Sequence, residues 1–195
     1  MSNIKQIPYG VSDFVEVVTE GLYYVDKTMY LPLLENQPRN LIFIRPRRFG
    51  KSLLLSMMRT YYDINLSDRF QELFGSLWIG KHPTRNQGRY QILYFDFSRI
   101  GGSIADLAEN FNSYCNLCLD NFITRYQKYY SSDFVKRVLR LRTSVDKLNA
   151  IHMEAKDKGF PLYLIVDEYD NFTNVVLNEH GEKVYWAITH AEGFY

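Results

Sequence analysis

Hydrophobic and polar positions along this chain form two kinds of pattern. Short, mostly apolar runs without polar alternation occur at residues 41–44 (L-I-F-I), 91–97 (Q-I-L-Y-F-D-F) and 162–166 (L-Y-L-I-V). Such runs are typical of parallel strands covered on both faces. The segments between them carry apolar residues at every third or fourth position, the spacing of one helix face. The alternation predicts an α/β fold with a parallel sheet flanked by helices.

The helical spacing predicts four main helices. One covers residues 52–62, and a long one covers residues 104–122. A third is marked by apolar residues from Phe134 to Leu148 and is stopped by Gly-Phe-Pro at 159–161. A last helical segment is predicted at 182–195.

The N-terminal third carries weaker signals. Thr28 is predicted to cap a short helix at 29–35, and residues 63–90, punctuated by glycine and proline, are predicted to be rich in loops. We expect residues 1–38 to be an extension that packs on a core formed by residues 39–195.

Charge and hydropathy limit the classes of protein to which this chain can belong. The chain has 23 Lys and Arg against 22 Asp and Glu, so any surface for nucleic acid has to be local. No apolar run approaches the length of a membrane span, and the N-terminus does not resemble a signal peptide. We therefore expect a cytoplasmic protein that does not cross a membrane.

Cys115 and Cys118 are spaced as C-x-x-C. Such a pair can be half of a zinc site or a redox dithiol. The sequence has no second Cys or His pair at metal-ligand spacing, and both cysteines fall on the apolar face of the predicted long helix. We therefore favour buried structural thiols.

The string R-P-R-R-F-G-K-S at residues 45–52 is the first candidate site. It follows a predicted strand and opens a predicted helix, the context of the phosphate-binding loop G-x-x-x-x-G-K-[ST]. In that loop backbone N–H groups surround the phosphates, the lysine reaches the β and γ oxygens, and the hydroxyl ligates Mg²⁺. Here Arg45 replaces the first glycine. The predicted nucleotide-binding residues are Arg45, Pro46, Arg47, Arg48, Phe49, Gly50, Lys51, Ser52 and Leu53.

A second candidate site lies at the end of the third predicted strand, where Asp167 and Glu168 follow the apolar run. This is the expected form of a Walker B motif, whose aspartate holds the Mg²⁺ shell. The adjacent glutamate can deprotonate the attacking water. Ligands of parallel sheets gather beyond the carboxyl ends of the strands, where both candidate sites fall. Asp96 ends the middle strand at the same edge, where we favour a capping role.

Several strings together resemble the AAA-ATPase-like family of bacterial proteins. They are I-P-Y-G-V-S-D-F at 7–14, Y-V-D-K-T at 24–28, R-P-R-R-F-G-K-S-L at 45–53, Y-F-D-F-S at 94–98 and L-I-V-D-E-Y-D at 164–170. The family usually carries an arginine at the position of Arg45. The resemblance implies a P-loop NTPase-type sheet that binds ATP and Mg²⁺.

The same resemblance assigns roles to individual residues. Lys51 and Ser52 become phosphate and Mg²⁺ contacts, Asp167 the second metal-shell residue, and Glu168 with Lys51 the catalytic pair. The role of residues 24–28 stays open between a wall of the nucleotide pocket and packing, and packing is favoured.

One departure from such ATPases concerns the sensor strand, which follows the Walker B strand in sequence. The chain ends in what is predicted to be the intervening helix, so we expect the N-terminal part of a longer protein. Oligomerisation of that protein is left open. Family members often carry a nuclease domain further on, through which the parent could contact nucleic acid.

Two other functions remain open. Basic residues around 125–147 could form a nucleic-acid-binding surface over two helices: Arg125, Lys128, Lys136, Arg137, Arg140, Arg142 and Lys147. A P-loop kinase is the other alternative, although no arginine-bearing lid is evident. The sequence does not discriminate ATP from GTP.

Overall fold

The computed structural model describes residues 5–38, 40–44, 46, 49–101 and 104–169, with Ile104 and Ala105 described by their backbone alone. The chain divides into two compact units at Gln91 and Ile92. The helix predicted at 182–195 lies outside the described residues.

The first unit is helical. Its elements are α1 (Phe14–Thr19), α2 (Leu31–Glu35), α3 (Lys51–Tyr62), α4 (Phe70–Phe74) and α5 (Trp78–Lys81), with 3-10 turns at Thr28–Tyr30 and Ile64–Arg69. The periodicity that predicted α3 is confirmed, because Met57 and Tyr61 on its apolar face are fully buried. α3 ends at Tyr62. The next residue, Asp63, caps the following turn, because its Oδ1 accepts the N–H of Asn65 at 2.8 Å.

The prediction that residues 63–90 are rich in loops is wrong, since α4 and α5 lie within this range. Glycine and proline in a window argue against helix, but Phe74 and Ile79 are buried and anchor two short helices. The helix expected at 29–35 begins with a 3-10 turn and becomes α-helical at Leu31, directly before Pro32 in the first helical turn.

The strand predicted at residues 41–44 is not formed. These residues have no regular secondary structure, and the side chains of Ile42 and Ile44 are 78% and 80% exposed. An apolar run indicates burial, but the ladder hydrogen bonds of a strand come from a neighbour that the run itself does not specify.

The second unit contains both strands of the described sheet. Its elements are β1 (Gln91–Asp96, which begins at the unit boundary), α6 (Ile104–Arg125), α7 (Ser132–Arg140), α8 (Ser144–Asp157) and β2 (Leu162–Asp167), with 3-10 turns at Phe97–Arg99 and Gln127–Tyr129. β1 and β2 pair in parallel, and in the described residues they form a two-stranded sheet. The predictions of α6, β1 and β2 are confirmed, as is an α/β chain with parallel pairing.

The single helix predicted from Phe134 onward is in fact two helices, α7 and α8. Thr143 causes the break: its Oγ1 accepts the N–H of Asp146 at 3.1 Å and donates to Asp146 Oδ2 at 2.6 Å. This reciprocal cap starts a new helix. Asn112 on α6 holds the junction, since its Oδ1 accepts the N–H of Ser144 at 2.9 Å.

Candidate functional site

The start of α3 has the geometry of an anion site. Gly50 precedes the helix with φ 72°, in the left-handed region that favours glycine, and no side chain caps the helix at this residue. Its carbonyl accepts the N–H of Leu54 at 3.0 Å. The N–H groups of Lys51, Ser52 and Leu53 precede the first carbonyl-to-amide pairing of the helix and point from its positive end.

The composition of this helix start matches its geometry. The first turn of α3 carries no acidic residue, Ser52 is exposed, and Lys51 is partly exposed. Phe49 is 65% exposed, and its N–H donates to the carbonyl of Pro46 at 3.4 Å. Arg45, Arg47 and Arg48 lie outside the described residues, so their predicted contacts remain predictions.

The end of β2 holds the second candidate group. The Asp167 carboxylate is buried, with 4% of the residue exposed. Its Oδ2 accepts the hydroxyl of Tyr94 on β1 at 3.2 Å, and its Oδ1 accepts the N–H of Glu168 at 2.9 Å. Both carboxylate oxygens are therefore oriented by defined donors.

Glu168 has an unusual backbone conformation. Its φ is 52°, and it is the non-glycine residue with positive φ in the described part of the chain. This conformation costs a residue with a Cβ about 1–3 kcal/mol and is concentrated at functional sites. The side chain is partly exposed, so the carboxylate of Glu168 is accessible while that of Asp167 is fixed and buried.

Tyr94 is a site residue that the sequence reading did not single out. It lies in the Y-F-D-F-S string, on β1. The alternation of side chains along a strand could have indicated it, because every second residue of β1 lies on the same face of the sheet as Asp167. Asp96 has the capping role favoured from the sequence, since its Oδ1 accepts the N–H and hydroxyl of Ser98. Its Oδ2 also pairs with Arg99 at 3.2 Å.

Oxygen donors of this kind fit Mg²⁺ together with phosphates. The described residues contain no cluster of three or more His, Cys, Asp or Glu that could hold a metal alone. Mg²⁺ keeps several waters and takes one or two carboxylates plus substrate phosphates, rather than a cage made by protein. Ser52 and Asp167 are the oxygen ligands predicted from the sequence. That the two share one ion remains a prediction.

The 24–28 string has the packing role favoured from the sequence. Asp26 Oδ1 accepts the N–H and hydroxyl of Thr28 at 2.8 and 2.7 Å. Asp26 Oδ2 accepts the N–H of Trp78 at 2.7 Å, and Thr28 Oγ1 accepts the N–H of Ile79 at 3.1 Å. The two side chains cap the start of α5 from about fifty residues away. Thr28 is fully buried. In the same string, desolvation by burial raises the pKa of the Tyr24 hydroxyl.

Replacing Thr28 with valine should destabilise the first unit without disturbing its shape. The change keeps the volume of the side chain but leaves the buried N–H of Ile79 without its acceptor, which costs about 1–3 kcal/mol. Urea unfolding followed by circular dichroism measures the change. Thr19→Val is the control, because the Thr19 hydroxyl is exposed and bonds within α1. Equal stability of the two variants would contradict the capping role.

The cysteines behave as structural thiols. Both are free, Cys115 is buried, and Cys118 is partly exposed on the same helix. Burial raises the pKa of Cys115 to about 12, with the neighbouring Cys118 as a second cause. A neutral buried thiol is a poor nucleophile and metal ligand.

The basic stretch is not one continuous surface. Lys147 is buried, at 3% exposure, and its ammonium pairs with Asp120 of α6. Its inclusion in a nucleic-acid-binding surface was therefore wrong, because an amphipathic spacing does not reveal that a lysine points inward to a carboxylate. Arg137 lies over the ring of Phe134 at 5.0 Å. In the residues that are described, no helix has the length and apolar character needed to cross a membrane.

Comparison with known proteins gives the family. The family model described as Predicted AAA-ATPase matches residues 8–195. The chain belongs to this AAA-ATPase-like family. The match includes the start of α3, the end of β2, the 24–28 string and all but the first residue of the 7–14 string, so the family expectation from the sequence is confirmed. Membership supports nucleotide binding in general terms.

One curated relative of this AAA-ATPase-like chain is the uncharacterized protein in the vnfD 5′ region of Azotobacter chroococcum mcd 1. It is 32% identical over 112 residues, which cover 53% of this chain and 20% of the relative. The matched part of the chain thus spans about a fifth of that protein's length. No solved structure matches the chain.

Proposed function

We propose that this AAA-ATPase-like chain binds ATP with Mg²⁺ at the start of α3, and that its intact parent protein hydrolyses the nucleotide. Family membership supports a nucleotide ligand. The observation that carries the proposal is the left-handed Gly50 followed at once by Lys51 and Ser52 on an uncapped helix start.

The proposed roles follow from chemistry at each group. The N–H groups of residues 51–53 surround the phosphates, as at other helix N-termini that bind anions. The Lys51 ammonium neutralises charge on the β and γ phosphates, and the Ser52 hydroxyl supplies an oxygen ligand for the magnesium. The arginines at 45, 47 and 48 give this segment of the sequence a positive charge that would favour an anionic ligand.

The proposal also assigns roles to Asp167 and Glu168, at the end of β2. The Asp167 carboxylate, held by Tyr94 and the backbone, would orient water in the magnesium shell. The bound magnesium supplies charge stabilisation on the phosphate oxygens. The more exposed Glu168 would accept the proton of the attacking water. Hydrolysis then requires the Asp167 and Glu168 carboxylates to act on the nucleotide bound at the start of α3.

Calorimetric titration of the chain with ATP in the presence of Mg²⁺ tests the binding step. We expect saturable binding that weakens when EDTA removes the metal, since Ser52 would hold the metal together with the phosphates of the nucleotide. Inorganic phosphate and AMP serve as controls, because the loop is proposed to read the β and γ phosphates. Absence of saturable ATP binding would contradict the proposal.

Replacing Tyr94 with phenylalanine should reduce the contribution of Mg²⁺ to ATP binding. Loss of the hydroxyl removes one donor that orients Asp167 Oδ2 and should lower the Mg²⁺-dependent gain in affinity by roughly tenfold. Binding measured in EDTA should not change. Tyr129→Phe is the matched control, because that ring packs against Phe160 on the same unit. Equal effects with and without Mg²⁺ would show that Tyr94 does not act through Asp167.

A further inference from the structure

The 7–14 string makes a direct contact with the phosphate-binding helix. The backbone N–H of Phe14, the first residue of α1, donates to Ser56 Oγ of α3 at 2.9 Å. Both residues are buried. Ser56 lies one helical turn after Ser52, so this bond reaches α3 close to its phosphate-binding end.

Phe14 also joins a cluster of aromatic rings that reaches the other end of α3. Phe14 is fully buried, stacks on Phe74 of α4 at 4.9 Å and meets the edge of Tyr24 at 5.3 Å. Phe74 in turn meets the edge of Tyr61 on α3 at 5.4 Å. Such aromatic pairs stabilise a packed arrangement beyond their buried area. α3 is therefore held at two points along its length, at Ser56 and at Tyr61.

The start of α1 is itself fixed by a side chain. Asp13 Oδ1 accepts the N–H of Glu16 at 3.0 Å and caps α1 directly before Phe14. The cap orients the first turn of α1, so that the N–H of Phe14 remains available to Ser56 rather than to another group. These contacts come from a string that the proposed nucleotide site does not use.

We propose that Asp13, Phe14 and Ser56 form a brace that sets the position of α3 for phosphate binding. α3 begins at a glycine without a side-chain cap, so the brace fixes the helix from one turn downstream. Phosphate binding needs the first-turn N–H groups to converge on one point, and a preorganised helix start does not have to be ordered on binding. The consequence for affinity rests on the proposed function, whereas the geometry of the brace does not.

Two variants and one control test the brace. Ser56→Ala removes the acceptor of the Phe14 N–H, and Asp13→Ala removes the cap of α1. The control is Thr60→Ala, which removes a hydroxyl of similar burial on the same helix that bonds to the Ser56 carbonyl at 2.8 Å and not to α1. Asp13→Asn retains a capping oxygen and should restore the behaviour of the unmodified chain.

Hydrogen exchange without nucleotide gives the first measurement. The Leu54 amide, bonded to the Gly50 carbonyl, should exchange about tenfold faster in Ser56→Ala and Asp13→Ala, since local opening becomes easier by the worth of one buried hydrogen bond. The Tyr62 amide, in the buried last turn of α3, serves as the internal reference for unfolding of the whole first unit. Unchanged Leu54 exchange in both variants, or equal acceleration in Thr60→Ala, would overturn the brace.

ATP affinity gives the second measurement, made where circular dichroism shows each variant folded. We expect the dissociation constant to rise about tenfold in Ser56→Ala and Asp13→Ala and to stay the same in Thr60→Ala and Asp13→Asn. Faster exchange with unchanged affinity would overturn the link to phosphate binding. If the unmodified chain binds no ATP, the proposed function fails while the exchange result still decides the brace. If Ser56→Ala does not fold, the Asp13 pair carries the test.

Discussion

Replacing Lys51 with alanine is expected to weaken ATP binding by roughly 10- to 100-fold, the range expected for loss of a hydrogen bond to a charged group. Lys51 opens α3 directly after the left-handed Gly50, so its ammonium is proposed to add to the field of the helix start. The helix itself should remain intact, because alanine is the best helix former. Titration with ATP and Mg²⁺ measures the change.

Lys81→Ala is the matched control for this experiment. Lys81 is an exposed lysine in the last turn of α5, in the same unit as Lys51. Removing it changes the net charge of the unit by the same amount but leaves the start of α3 untouched. Similar losses of affinity in the two variants would mean that ATP is attracted by general charge and not by the predicted loop.

Replacing Glu168 with glutamine in the proposed longer parent protein should slow ATP hydrolysis by about 10²- to 10⁴-fold, the usual contribution of a general base. ATP affinity should be retained, because glutamine preserves the size and polarity of the side chain but does not accept the proton. Phosphate release under single-turnover conditions measures hydrolysis, and titration measures affinity.

Glu109→Gln provides the comparison, since Glu109 is an exposed glutamate on α6. We expect it to hydrolyse ATP at the rate of the unmodified parent. Full activity of the Glu168→Gln variant would remove Glu168 as the base, even if ATP still binds at the start of α3.

Segments with strong periodicity could be predicted from the sequence. α3 and α6 carry apolar residues over several turns, and the runs of β1 and β2 are long enough to distinguish strands by their flanking turns. The bounds of β2 follow directly from the run that ends at Asp167. In each case the local pattern and the packing agree.

Elements that depend on distant partners could not be predicted. α5 is four residues long and takes its caps from Asp26 and Thr28, which no local pattern announces. The sequence predicts that Lys147 lies on the surface, whereas in the structure Lys147 is buried and pairs with Asp120. The break between α7 and α8 was readable in principle, because Thr143 and Asp146 have the spacing of a capping box.

The residues of the candidate site also differ in whether the sequence could predict them. Motif spacing predicts Lys51, Ser52, Asp167 and Glu168 as site residues, because the chemistry of phosphate and magnesium demands those residue types, and their roles remain predictions. Tyr94 was missed, since its role arises from strand pairing that brings its hydroxyl to Asp167. The brace was missed for a similar reason, as it joins residues 42 positions apart.

The central claim is that Ser52 and Asp167 serve one magnesium bound to ATP, and a double-mutant cycle tests it most directly. The Mg²⁺-dependent affinity for ATP is measured for Ser52→Ala, Asp167→Asn and the double variant. Shared coordination predicts that the double variant loses little more than the worse single variant, with a coupling energy of about 0.5–3 kcal/mol. Losses that simply add would contradict a common ion.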